Sequence, residues 1–323
     1  MRIVFHGDNA AAFSHGFAAL IGEDAQIAIL PDALQTSAQQ AAYAAADIII
    51  GTRFDGSLPR PERLRLFQLP AAGYDEIVFA ALPLDAVVCN CFGHEIAIAE
   101  YVMAALLQRC VPLADADGRL RRRDWAYWAG APERVHPELA DGTLGLLGFG
   151  HIGKAVAQRA KAFGMRVHVA NRSPVPESVQ VDRYYALSAL PDFWGSADYI
   201  VVTVPLAAET RGMVGSDAFR AMRPRAILVN VARGPVVEEH ALYDALREGC
   251  IGGAVIDTWY QYPTASEPNV TPSELPFDTL PNVVMTPHMS GWTNGTIRRR
   301  QEAMAANIRR RMRGESCENV VRG

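Results

Sequence analysis

GLLGFGHIGKAVAQRAKAFGMRVHVANRS, residues 145–173, is the stretch on which the fold turns. An apolar run, TLGLLGF (143–149), leads into glycines 148, 150 and 153; a stretch with helical spacing follows, and a second apolar run, RVHVAN (166–171), closes the segment. The pattern is strand, turn, helix, strand. In that setting three glycines spaced G-x-G-x-x-G have distinct uses: a tight turn, close approach of backbone to a pyrophosphate, and close packing of helix on strand. The helix N-terminus adds partial positive charge for the phosphates. Without its context the pattern is weak; within it, the segment predicts a dinucleotide-binding unit.

Similar apolar runs extend in both directions. Before the motif come RIVFH (2–6), QIAIL (26–30), DIIIGT (47–52), LRLFQL (64–69) and AVVCN (86–90). After it come DYIVVTV (198–204), AILVNV (226–231), GAVIDTW (253–259) and NVVMTP (282–287). The runs are continuous rather than alternating, as strands covered on both faces should be. Separated by Ala-rich helical stretches, they predict an α/β protein with two doubly wound parallel sheets. The 323 residues suit two such cores. HEIAIAEYVMAALLQR (94–109) is read as the helix crossing between them, and the tail after Trp292 as a final helix. The polar stretch RRRDWAYWAGAPERVHPELADG (121–142) is too long for a casual loop and is expected to pack on something, a second subunit included.

Composition narrows the function classes. A net charge of −4 gives no reason to expect nucleic acid or an anionic membrane as partner. The arginine clusters RLRRR (119–123) and RRR (298–300) have no interleaved aromatics and read as solvated surfaces. The five cysteines are irregularly spaced and read as free thiols in a reducing cytoplasm. No apolar run is long enough to span a bilayer, the start reads as a first strand rather than a leader, and no metal site is expected.

The end of the second strand bears on the cofactor. An acid there binds a ribose 2′-hydroxyl and repels a 2′-phosphate. Here Asn171, Arg172 and Ser173 stand instead, which favours NADP over NAD, since a guanidinium grips phosphate. NAD stays open, with Arg172 on the surface or stacked on adenine.

AAGYD (71–75), NCFGHEIAIAE (90–100), VPLAAETRGMV (204–214), NVARGPVVEE (230–239), GGAVIDTW (252–259) and TPHMSGW (286–292) follow one another around the glycine motif. Together they resemble the D-isomer-specific 2-hydroxyacid dehydrogenases over nearly the whole chain. The resemblance implies a flavodoxin-like substrate domain, residues 1–93 and 293–323, and an inserted Rossmann dinucleotide-binding domain, residues 94–292. It also implies a homodimer and a small 2-ketoacid or 2-hydroxyacid as substrate.

Carried over by position, Arg233 is expected to hold the substrate carboxylate, and His288 to exchange a proton with the substrate oxygen. Asp257 would orient the nicotinamide carboxamide; Ala72, Gly73 and His94 would belong to the substrate site. Gly148, Phe149, Gly150, His151, Ile152 and Gly153 would line the cofactor, with Thr203, Val204, Pro205, Thr210, Val231, Ala232 and Gly291 completing the lining beside Arg233 and His288.

One position departs from the family. Five residues after Asp257 the resemblance calls for a glutamate paired with the histidine, and this chain has Tyr262 in DTWYQYP (257–263). Glu267 and Glu274 lie further along and are the alternatives for a displaced acid. Without a carboxylate the charged form of His288 loses support, so its pKa should fall. Ketoacid reduction of the glyoxylate or hydroxypyruvate type would then decline as pH rises from the acid range. Hydride transfer from formate, which needs no proton donor, and a dinucleotide-sensing binding protein are the competing readings.

Overall fold

A computed structural model describes residues 1–22, 25–130, 132–264 and 267–322. Residue 131 of the polar stretch and residue 323, the last of the expected substrate domain, lie outside the described residues. The chain divides into two compact units, Met1–Gly93 with Thr293–Gly323, and His94–Trp292.

The first unit holds parallel strands β1 (Arg2–His6), β2 (Gln26–Leu30), β3 (Ile48–Gly51), β4 (Leu66–Gln68) and β5 (Val87–Cys89). Their order is β5-β4-β3-β1-β2, with a last strand, Val320–Arg322, antiparallel on the β5 edge. Ile3, Phe5, Ile48, Ile50 and Leu66 of this sheet share a core with Met304, Ala305 and Ile308 of helix Asn294–Met312. That helix starts where Thr293 accepts the N–H of Thr296, a side-chain cap that satisfies one end donor. The tail is therefore more than the helix expected of it. Val320–Arg322 is too short, and too polar at its flanks, to give a strand signal.

The second unit carries seven parallel strands: β6 (Thr143–Leu147), β7 (Arg166–Ala170), β8 (Arg183–Tyr185), β9 (Tyr199–Val202), β10 (Ile227–Asn230), β11 (Gly253–Ile256) and β12 (Val283–Met285). Their order is β12-β11-β10-β9-β6-β7-β8. The chain moves one way from β6 to β8, then returns beside β6 with β9 and proceeds the other way. Ligands of such sheets bind beyond the carboxyl ends of the strands where the order reverses. β6, β9, β10 and β11 are buried along their length apart from partly exposed Tyr199, as their unbroken apolar runs require. Helix His151–Ala162 buries Val156, Ala157 and Ala160, a stripe at helical spacing. These residues share a core cluster with Ile98, Val102 and Leu106 of helix Glu95–Cys110. β8 was not expected from the sequence: its three residues include two polar-capable tyrosines and an exposed arginine at the sheet edge.

Candidate active site

The glycine turn follows β6. Gly148 has φ +102, a left-handed conformation that favours glycine. A side chain on Gly153 would begin 2.5 Å from the carbonyl oxygen of Gly148, so helix and turn meet only because that position is bare. Gly150, by contrast, faces open space and leads into helix His151–Ala162, whose first turn has no side-chain cap. A helix N-terminus beside an open backbone surface at Gly150 fits a dinucleotide pyrophosphate. Thr203, just beyond β9, donates its hydroxyl to the carbonyls of Leu147 (3.1 Å) and Gly148 (3.0 Å), pinning the turn from the neighbouring strand. Thr210 is occupied within its own loop, donating to Pro205 O at 2.6 Å and accepting from Ala207 N at 2.8 Å.

Asn171, at the end of β7, reaches back to the same turn. Its Oδ1 accepts the N–H of Phe149 at 3.2 Å, and its Nδ2 donates to the carbonyl of Ser173 at 2.9 Å. Its amide is thus spent on the protein, and the exposed side chains beside it belong to Arg172 and Ser173.

Arg233, Asp257 and His288 follow β10, β11 and β12, three adjacent strands, at their carboxyl ends. The turn carrying Arg233 is shaped by Asn230, which accepts the N–H of Ala232 at 3.1 Å and donates to the carbonyl of Arg233 at 3.2 Å. Val231 and Ala232 are buried in that turn, while Arg233 is half-buried.

Asp257 is fully buried. Its Oδ1 accepts from the Thr286 hydroxyl (2.6 Å) and the Met289 N–H (2.9 Å), and its Oδ2 from the Ser290 N–H (3.0 Å). The hydroxyls of Thr286 and Tyr101 lie 2.7 Å apart, linking the group to helix Glu95–Cys110. All three donors to Asp257 come from the segment around His288. The sealed carboxylate therefore holds the turn that carries the histidine. That turn puts His288 at φ +57, a left-handed conformation uncommon outside glycine.

The imidazole faces Tyr262. The Tyr262 hydroxyl lies 3.0 Å from Nδ1 of His288, with the rings 5.6 Å apart, and it accepts the backbone N–H of Trp259 at 3.0 Å. Neither Glu267 nor Glu274 hydrogen-bonds His288 among the described residues; Glu274 stands 3.5 Å from the Gln261 amide instead. Packing around the ring lowers the pKa of His288 from its ordinary value, Arg233 lowers it further, and Asp257 partly opposes them. Burial raises that of Tyr262, opposed by the Trp259 N–H and by Arg233.

His94 and Gly291 are neighbours: a side chain on Gly291 would begin 3.4 Å from Cβ of His94. Ala72 and Gly73 belong to the other unit, where Asn90 donates to the Ala72 carbonyl at 2.7 Å. Asn230, Thr286, Tyr101 and the backbone of Trp259 were not anticipated from the sequence. Asn230 was within reach as the last residue of a strand, the position from which an amide can bond its own turn.

Comparison with known proteins agrees with this fold. Residues 103–290 match the family profile "D-isomer specific 2-hydroxyacid dehydrogenase, NAD binding domain". The chain is 34% identical over 282 residues to the glyoxylate reductase of Thermococcus gammatolerans, covering 84% of this chain and 81% of that one. It is 32% identical over 285 residues to the D-3-phosphoglycerate dehydrogenase of Methanocaldococcus jannaschii, covering 85% of this chain but spanning only 52% of that protein. In fold it is similar to the D-lactate dehydrogenase of Aquifex aeolicus, with a TM-score of 0.82, 23% identity, and 99% of each chain covered. The fold and site define a nicotinamide-dependent oxidoreductase. The chain belongs to the D-isomer specific 2-hydroxyacid dehydrogenase family.

Proposed function

We propose that this protein reduces small 2-ketoacids of the glyoxylate or hydroxypyruvate type to D-2-hydroxyacids, prefers NADP, and works in the cytoplasm as a homodimer. The observation that carries the reading is the convergence of Arg233 and His288 at the ends of β10 and β12, in the unit that holds the glycine turn. The nicotinamide, when bound, supplies the hydride. Arg233 holds the carboxylate by paired charge-assisted hydrogen bonds and polarises the adjacent carbonyl. His288 has Nδ1 turned to Tyr262, which leaves Nε2 to exchange the proton with the substrate oxygen.

The absence of an acid at the end of β7, with Arg172 and Ser173 exposed there, supports the NADP preference. The dimer is supported by the segment after helix Glu95–Cys110. Leu113 (73% exposed), Trp125 (66%), Trp128 (61%) and Val135 (83%) present more apolar surface than a lone subunit needs to show.

Oxidation of NADPH and NADH by a panel of 2-ketoacids tests the reading. Glyoxylate-dependent turnover, faster with NADPH, is the expected result. Cofactor binding without turnover on any ketoacid would overturn it, and activity on formate alone would replace it.

A further inference from the structure

We propose that Tyr262 is the proton source behind His288: its hydroxyl donates to Nδ1, holds the neutral ring with its own proton on Nε2, and feeds a proton through the ring to the substrate oxygen. The reaction half of this proposal rests on the reductase reading above; the ring's proton position does not.

Tyr262 Oη has one hydrogen and two lone pairs, and these set what it can accommodate. The backbone N–H of Trp259, at 3.0 Å, can only donate, so it takes a lone pair. One hydrogen and one lone pair remain for His288, whose Nδ1 lies 3.0 Å away. Against a neutral ring, the hydroxyl hydrogen meets the bare Nδ1, and every partner is matched. Against a charged ring, Nδ1–H must enter the second lone pair beside Trp259 N–H. Two positive dipole ends then crowd one oxygen, and the hydroxyl hydrogen has to turn elsewhere. A carboxylate here would favour the charged ring; a hydroxyl already receiving a backbone donor favours the neutral one.

The surrounding charges point the same way. Arg233 is the cation acting on both side chains. Asp257 is the anion acting on both, but its oxygens are committed to Thr286, Met289 and Ser290. His288 is exposed at the surface as a whole residue, but desolvation by the groups packed on its ring first, and Arg233 second, hold its pKa below the ordinary value. The imidazolium is thereby disfavoured, and a route needing that ion is disfavoured with it. A neutral imidazole can still serve as the electrophile, provided that something replaces the proton it gives up.

The proton balance closes without a further reagent. As negative charge gathers on the carbonyl oxygen, a bond forms between that oxygen and the proton of Nε2, and the Nε2–H bond breaks. Nδ1 takes the proton of Tyr262; burial opposes the tyrosinate left behind, and the Trp259 N–H and the field of Arg233 support it for the moment of transfer. Water then protonates Nε2, and Nδ1 returns its proton to Tyr262. The net transfer is a single proton from water to product. The decline with rising pH expected from the missing acid is thereby postponed, since the donor no longer depends on the scarce imidazolium.

Three measurements on the full chain test this. Nitrogen-15 NMR of the His288 ring at pH 7.5, without substrate, should show a bare Nδ1 and a protonated Nε2, a preference that Tyr262→Phe abolishes. A proton on Nδ1 in the parent protein overturns the relay whatever the activity. Glyoxylate reduction should change less than about threefold between pH 6.5 and 9 in the parent, and fall roughly tenfold per pH unit in Tyr262→Phe. Partial deuteration of the solvent should give a curved rate dependence in the parent and a linear one in the variant. Tyr262→Glu should regain a falling profile set by the imidazolium. Parallel profiles in parent and Tyr262→Phe would sink the relay but leave the reductase standing. Ring protons as proposed, with no ketoacid turnover in any variant, would sink the reductase reading instead.

Discussion

Oδ2 of Asp257 and the backbone N–H of Ser290 meet at 3.0 Å across 33 residues of sequence. His288 stands two residues before Ser290 in a left-handed conformation, so this bond and its companion to Met289 fix the direction in which the imidazole leaves the backbone. Asp257→Ala would strand two backbone donors and a hydroxyl in a buried place. We expect a loss of about 3 kcal/mol in urea unfolding, and reductase activity lower by roughly a hundredfold. Asp257→Asn keeps one acceptor oxygen and should lose less of both.

Arg233 acts on the ring and, in the proposed reaction, on the substrate. Arg233→Gln removes a cation whose field opposes protonation of His288, so the histidine pKa should rise, not fall. An NMR titration of the ring reads this directly. The same variant should raise KM for glyoxylate and cut kcat/KM by about a hundredfold or more. An unchanged ring pKa would remove Arg233 from the electrostatic account of His288.

Cofactor choice is expected to hang on Arg172. Arg172→Ala should weaken NADPH binding about ten- to a hundredfold, the worth of one charge-assisted hydrogen bond, while NADH binding stays within about twofold. Fluorescence titration of both cofactors checks it. Equal losses for the two would place Arg172 on a part that they share.

Stability should fall on the acid side. His6, His168 and His288 all have pKa values lowered by burial. Between those lowered values and the ordinary value of about 6.5, the unfolded chain binds more protons than the folded one, so stability rises with pH across that window. Below it the loss is complete. A Tm followed from about pH 7.5 down to 5 should drop, and should drop less in His6→Gln if that buried ring carries its share.

The sheets were legible in the sequence because strands covered on both faces need unbroken apolar runs, and Ile48–Gly51 or Ile227–Asn230 offer little else. Edge strands escape that demand. Arg183–Tyr185 and Val320–Arg322 are three residues long, with exposed side chains, and look like loop. Within the candidate site, the side chains proposed to carry chemistry were named from the sequence: Arg233, His288, and Tyr262 by its register. The contact from Trp259 to Tyr262 could not be, because the donor is a backbone N–H that every residue but proline shares. Asp257 was visible as a residue, but its hold on the histidine turn was not, since burial and the closure of a turn 33 residues away are properties of the folded chain.

Asn171 ties the glycine turn and the loop of Arg172 and Ser173 into a single part, with Phe149 on one side and Ser173 on the other. Anyone wishing to convert this enzyme to the other nicotinamide would be tempted to write an aspartate at this position. That residue would still receive the N–H of Phe149, but against the carbonyl of Ser173 it would set oxygen against oxygen. The loop being redesigned would be pried open by the substitution meant to equip it. On the proposed reading, redesign of selectivity starts at Arg172 and leaves Asn171 alone, because the amide is already the bolt between turn and loop.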